Sequence, residues 1–532
     1  MLALIGAIVL GAGSSIARAG DADVEARLRA LEDANRKLLQ RYEQLLERSA
    51  EDRKLAEDRY RDLERRYLEL RGPGVPPAIP AANESRDPQT RPAELDGASQ
   101  DDRIPIAAPG FGARDGATAS ETVPALPLIA ELRDGFELRT VDDEISLRFH
   151  TLAQVDFKDF LPNTQSPARS GLYIPRVRVY FEGDLTRLFD YEISLQRSVE
   201  GVWDLLDGNI DYKPSEKFQV RFGRTLVPYS YDWYDHLEQY FITPERGLFP
   251  LNFGLSRAAG LLAQGWLFDR RLEYAFGGFD GRLTGVADNN NTRDGVVYVN
   301  LRPFLLDEDS PWRYLNIGGS AFSGSQIAPQ DPLPMRTSLQ SSENDEAASS
   351  ASAVFLEFDE GVSALGSRAA GALHLAWYRG PFSFESEVQA GRFQFLPHHG
   401  ERRVGVPVMG YHIAGSWFLT GEEVSERTTV VPLRPFDLRP GSRGPGAFEV
   451  FARFSHLLLG EQVFTGELAD PNRWTRRVDM PEVGFNWYPN RFIKFYVDWQ
   501  LPIYGSPVAT DYSGRRTTRN GNMFWIRAQV YF

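Results

Sequence analysis

No cysteine occurs in the 532 residues. That excludes a disulfide scaffold, a thiol nucleophile and any cysteine-ligated zinc or iron–sulfur centre. Lysine is almost as scarce, with six among 59 basic residues and arginine making up the rest. No internal apolar run approaches the ~20 residues of a membrane-spanning helix, so a helical membrane protein is excluded. A surplus of positive charge is also missing: the formal net charge is −14, which argues against general nucleic-acid binding. No G-x-S-x-G, Walker A or strand-following G-x-G-x-x-G sequence occurs, and His398-His399 lacks the spacing and carboxylates of a zinc site, so neither catalysis nor a cofactor is expected.

What the chain does have is organised in zones. Leu2 to Leu10 is apolar apart from Gly6 and leads through small residues to Ala17-Arg18-Ala19. This predicts an export signal over residues 1–19, cleaved after Ala19, although no basic residue precedes the apolar stretch. Over 20–71 a heptad places Val24, Leu28, Leu31, Leu38, Tyr42 and Leu45 on one seam, with Asn35 as its single polar position. The seam resumes out of phase at Tyr60, Leu63, Tyr67 and Leu70, which reads as a periplasmic coiled coil with a stutter. Residues 72–130 are rich in Pro, Ala, Gly, Asp and Ser without periodicity, and predict a disordered or extended linker.

From 131 to 532 the hydrophobic period becomes two. Val177, Val179 and Phe181 share one face of a strand, with Arg176, Arg178 and Tyr180 on the other. Ile493, Phe495, Val497 and Trp499 alternate with Lys494, Tyr496, Asp498 and Gln500, and the last strand repeats the pattern around Arg527. About sixteen such strands, or eighteen, are joined alternately by tight turns and long polar loops, more than a soluble sandwich accommodates. Trp377-Tyr378 and Trp487-Tyr488 stand near strand ends, where an interfacial girdle belongs. No blade-length repeat supports a propeller. The zone reads as all-β, an antiparallel transmembrane β-barrel of the outer membrane, apolar towards lipid and polar within.

Four stretches of this zone resemble the phosphate-selective porin O/P family of outer-membrane channels. Gly223-Arg-Thr-Leu-Val-Pro-Tyr-Ser with Phe241-Ile-Thr-Pro-Glu-Arg-Gly is similar to the family's Gly-x-x-Lys-x-Pro-Phe and Glu-Arg-Ser segment. Arg224 is its basic residue in place of Lys, and Tyr229 stands in place of Phe. Trp417-Phe-Leu-Thr-Gly-Glu, Gly446-Ala-Phe-Glu-Val-Phe-Ala-Arg-Phe-Ser and Gly484-Phe-Asn-Trp-Tyr-Pro-Asn follow in family order. The resemblance implies a 16-stranded homotrimeric barrel, passive diffusion of small phosphate-like anions, and recognition of the terminal Phe532 by the outer-membrane assembly machinery. Lysines of the kind known at the family's constriction are few here: the barrel zone has only Lys158, Lys213, Lys217 and Lys494.

Charge in a barrel belongs on the lumen face. Arg176, Arg178, Arg221, Arg453, Lys494 and Arg527 alternate with apolar neighbours and are candidates to line the pore. A guanidinium is a planar fork that meets phosphate oxygens in pairs and stays charged. Segment 224–258 breaks the alternation most and is the candidate constriction loop, carrying Arg224, Arg246 and Arg257 with Asp232, Asp235, Glu238 and Glu245. Lumen arginines also pair with lumen acids, for which Glu182, Glu192, Glu385 and Glu449 are at hand. The competing reading is a general, non-selective porin whose coiled coil tethers the outer membrane to a periplasmic partner.

Deleting Phe532, or replacing it with a polar residue, should reduce insertion more than it weakens the folded barrel. The fraction of chain recovered from the outer membrane as heat-modifiable oligomer measures this, and normal recovery would remove the signal role of the terminal aromatic.

Overall fold

The computed structural model describes residues 127–532 apart from 133–134, 162–167, 199–202, 282–291, 339–350, 401 and 511–513. The export signal, the coiled coil and nearly all of the linker lie outside the described residues. The first strand, Leu128–Leu132, begins inside the expected linker and forms a hairpin with Phe136–Thr140.

Sixteen strands then close into one ring. They are β1 (Ser146–Leu161), β2 (Gly171–Thr186), β3 (Phe189–Ser198), β4 (Trp203–Ser215), β5 (Phe218–Leu226), β6 (Arg257–Leu267), β7 (Leu272–Phe279) and β8 (Asp294–Leu301). The second half comprises β9 (Tyr314–Gln330), β10 (Ser363–Arg379), β11 (Phe382–Leu396), β12 (Val404–Phe418), β13 (Ala447–Leu459), β14 (Arg477–Asn490), β15 (Ile493–Gln500) and β16 (Asn522–Tyr531). Each pairs antiparallel with the next, and β16 pairs with β1 from Asn522↔Leu161 to Tyr531↔Leu152. Two short hairpins extend strands of the ring, the N-terminal one, which extends β1 through Phe136↔Phe149, and Ile503–Ala509 with Thr517–Asn520, which extends β14; a separate pair, Met335–Arg336 with Val354–Leu356, lies within 331–362.

Burial along the strands is inverted relative to a soluble protein. On β16, Ile526 is 36% exposed whereas Arg527 between its apolar neighbours is 0% exposed. Leu172, Phe222, Leu261 and Leu373 likewise point outward while Arg178, Asp211 and His374 are buried. Apolar side chains facing out and polar ones facing in is the arrangement a bilayer rewards. Trp377 and Trp487 complete the interfacial band: their indole N–H groups donate to the carbonyls of Pro311 at 2.9 Å and Pro445 at 2.8 Å. Their rings pack on Trp312 and Phe382, and on Phe436 and Phe495.

One rim carries the tightest turns, at 187–188, 216–217, 380–381 and 491–492, and both ends of the ring; the other carries long loops such as 227–256 and 331–362. Short turns mark the periplasmic rim of such barrels. The segment 419–446 is long and yet lies on that short-turn rim. Polarity within is also only partial. Val406, Val408, Leu457, Leu459 and Met480 face inward and form a core with Phe249 and Phe253 from the loop 227–256 and with Phe355 and Leu356 from 331–362. Inserted loops give the inner face apolar partners, which is why alternation fades on β12 to β14.

Gly223 has φ +132°, and a Cβ there would stand 2.3 Å from the Gly208 carbonyl oxygen. A side chain there would collide with β4 just before the chain turns into the lumen. Gly223→Ala should destabilise the barrel by about 1–3 kcal/mol, read as a lower urea midpoint of the heat-modifiable oligomer.

Candidate functional site

Loop 227–256 leaves β5, enters the lumen and crosses to the far wall before returning to β6. Pro228 and Ser230, whose φ is 71°, turn the chain inward. The strained Ser230 is held from two strands. Its amide donates to Ser320 Oγ on β9 at 2.9 Å, and its hydroxyl donates to Glu387 on β11 at 2.8 Å. Glu387 also accepts the Tyr231 amide at 2.8 Å, at the start of the short helix Tyr231–Tyr234. A 3₁₀ turn, Glu238–Tyr240, and a second helix, Leu248–Phe253, follow. The second helix sets the Phe249 and Phe253 rings into the apolar inner core.

Between these anchors the loop is gripped by cations. Arg176 and Arg178 project inward from β2. Arg176 donates to Glu245 at 2.9 Å, and Arg178 meets Glu238 through two N–H groups at 2.6 and 3.0 Å. Arg527 on β16 forks onto Asp156 at 2.7 and 2.9 Å and reaches Glu245 at 3.1 Å. Arg453 on β13 pairs with Glu482 at 2.9 Å and donates to the Glu245 carbonyl at 2.6 Å. Lys494 on β15 donates to the Phe241 carbonyl at 2.5 Å, and Arg246 of the loop lies 3.4 Å from Glu238 and over the Trp233 ring. Six of the nine candidate cations therefore meet at one loop.

The remaining three are placed differently. Arg224 and Arg257 lie on β5 and β6, at the entry and exit of the loop and outside it, correcting the segment 224–258 to 227–256. Arg224 donates to the Leu206 carbonyl at 3.2 Å, Arg257 pairs with Asp207 at 2.9 Å, and Arg221 forks onto Asp211 at 2.7 Å. The acids expected as partners are engaged elsewhere. Glu182 pairs with Arg148 at 2.8 Å, Glu192 accepts from Asn209, and Glu385 accepts the Tyr378 hydroxyl at 3.0 Å. Burying ions is costly unless each finds an opposite charge and its other donors find acceptors. Here the loop itself supplies both.

Arg427 was not legible as a site residue. Segment 419–446 folds back from the short-turn rim, so that Arg427 pairs with Glu449 at 2.7 Å and donates to the Tyr240 carbonyl at 3.2 Å. The available signal was an unpatterned stretch following Leu419-Thr420-Gly421-Glu422, too long for a tight turn. Lys158 is the second such residue, buried over the Trp525 ring at 3.8 Å with its ammonium on the Ala351 carbonyl. Among the described residues no group of His, Asp and Glu is placed to hold a metal ion.

The family model described as phosphate-selective porin O and P matches residues 147–532. No curated protein matches the chain. Among solved structures, the anion-selective porin from Comamonas acidovorans is 13% identical, with 73% of this chain and 100% of that one covered at a TM-score of 0.45. The outer membrane channel DcaP of Acinetobacter baumannii is 7% identical over 75% and 99%, with a TM-score of 0.44. OmpT of Vibrio cholerae is 9% identical over 73% and 98%, with a TM-score of 0.43.

Burial alone would raise the Glu245 carboxyl, but Arg176 and Arg527 outweigh it and hold the group at about 2, against an ordinary 4.5. Burial acts the same way on Glu238, and Arg178 and Arg246 pull it well below the usual range. Such depressed groups stabilise the docked loop fully above pH 4.5, and the contribution of Glu245 is lost as pH falls from 4.5 towards about 2. Single-channel conductance should become larger and noisier across that window. Glu245→Gln should weaken loop docking by about 3 kcal/mol at neutral pH, showing the same noise at pH 7 and a smaller response to acid.

Proposed function

The chain belongs to the phosphate-selective porin O and P family of the outer membrane, and on that premise we propose that it passes small anions, phosphate among them, by passive diffusion. The observation that carries the reading is the convergence of Arg176, Arg178, Arg246, Arg453, Lys494 and Arg527 on one loop across the lumen. A guanidinium has five N–H donors and a carboxylate fork uses two, so paired arginines keep donors for a passing oxyanion. Arg176 in that set, and Arg221 on β5 outside it, have side chains open to water, at 13% and 24%. They would exchange a fixed carboxylate for a mobile anion at lowest cost. Spacing such sites along the lumen keeps any one of them from trapping the ion.

One observation favours a weakly selective general porin instead. Arg178, Arg453 and Arg527 are at most 4% exposed and each has its own carboxylate, so much of the cationic charge is matched in place. In either case the barrel would act as a homotrimer, and the coiled coil over 20–71 would reach a periplasmic partner. Deleting 21–71 should then loosen envelope attachment while leaving single-channel conductance intact.

Reversal potential in a salt gradient decides between the two readings. The wild type should lie modestly on the anion side. Arg176→Gln with Arg221→Gln should move it towards cations and raise the phosphate concentration needed to reduce chloride current. A wild-type potential on the cation side would leave the general porin.

A further inference from the structure

Segment 419–446 runs in two directions. Its first half enters the lumen, where Arg427 meets Glu449 and the Tyr240 carbonyl, and Glu422 closes that half by accepting the Leu433 amide at 3.0 Å. Its second half, 431–445, turns outward onto the aromatic girdle. The Phe436 ring packs on Trp487 at 5.2 Å, and the Phe436 amide donates to the Pro489 carbonyl at 2.7 Å. Trp487 faces outward between the buried Asn486 and Tyr488, so this arm lies against the lipid side of β14. Backbone bonds fix its shape: the Gly446 amide donates to the Arg434 carbonyl at 3.0 Å, and Asp437 and Gly444 exchange both of theirs at 3.1 Å.

The arm exposes apolar side chains beside cations. Leu433 and Leu438 are 68% and 73% exposed, well beyond the lipid-facing Ile526. Pro432, Pro435, Pro440 and Pro445 remove backbone donors that the edge of a bilayer would leave unbonded. Asp437 is the single acid of 431–445 and is taken by Arg439 at 3.0 Å. Arg434 and Arg443 are exposed and have no ion-pair partner among the described residues.

We propose that this arm seats anionic phospholipid of the periplasmic leaflet, with acyl chains against Leu433, Phe436 and Leu438 and the phosphate at Arg434 and Arg443. Position and charge together choose the occupant. The arm continues the aromatic girdle on the short-turn rim, which sits at headgroup depth. A guanidinium fork matches phosphate oxygens, and at an interface apolar burial adds to the attraction between basic side chains and anionic lipid. A zwitterionic lipid covers the leucines but brings an ammonium group towards the two arginines. A neighbouring subunit seated here would have to bring carboxylates to Arg434 and Arg443. An anionic lipid meets both demands with one molecule.

Tryptophan quenching tests it, with the full chain in phosphatidylcholine vesicles that carry an equal minor fraction of brominated phosphatidylglycerol or brominated phosphatidylcholine. The signal lost in Trp487→Phe reports the arm. Phosphatidylglycerol should be enriched about fivefold at Trp487. Arg434→Gln with Arg443→Gln should bring the two lipids to parity, and high salt should shrink the preference. Arg402→Gln, at the long-loop rim, should leave it unchanged. Equal quenching by both lipids in the wild type would overturn the proposal, as would a preference that the double variant retains. Loss of heat-modifiable oligomer in the double variant, without lipid preference in the wild type, would assign the arm to a subunit contact instead. Should Trp487→Phe fail to fold, total tryptophan quenching of the wild type against the double variant still decides.

Discussion

A sheet edge in hydrocarbon leaves a row of backbone N–H and C=O groups with nothing to bond, and the seam between β16 and β1 removes it. Everything else follows from that closure. Once the ring is shut, the outer face must be apolar, as Ile526 and Phe222 are, and every second residue is forced into the lumen. The lumen is walled by low-dielectric material, so charges placed there are partly stripped of water and must find partners. The polar interior thus becomes a network of matched pairs.

The loop 227–256 uses that requirement structurally. Arg176 and Arg178 on β2, Arg453 on β13 and Arg527 on β16 lie along one arc of the ring that spans the seam, and each reaches the same short stretch of chain. The loop returns the acids Glu238 and Glu245 and the carbonyls of Phe241 and Glu245. The grip is therefore electrostatic at its tip and hydrophobic at its second helix, where Phe249 and Phe253 enter the inner core. From the other rim, Arg427 ties segment 419–446 to the same loop at Tyr240. The arginines serve as fasteners first, and whatever they offer a passing anion is what remains after fastening. Arg176, partly open to water, is where the two uses coincide.

Period-two patterning over four hundred residues, the absence of apolar runs and the aromatic pairs Trp377-Tyr378 and Trp487-Tyr488 made the barrel and its lipid face legible. A strand's side-chain direction is local, so inward placement of Arg178, Lys494 and Arg527 followed from their neighbours alone. The breakdown of alternation after Gly223 located the inserted loop to within a few residues. Partners were another matter. Glu245 lies far along the chain from Arg527, and Asp156 further still, so which acid meets which arginine depends on how the ring closes and how the loop crosses it. The second infolded segment, with Arg427, and the apolar inner faces of β12 to β14 were hidden for the same reason: their period-two signal is overwritten by contacts with other loops. Sequence by itself determined the barrel, its lipid face and the set of inward-facing charges, because those depend on residues one and two apart. Tertiary structure decided which charges are spent on holding the loop and which still face water, because that depends on distances across a lumen that exists only after β16 has paired with β1.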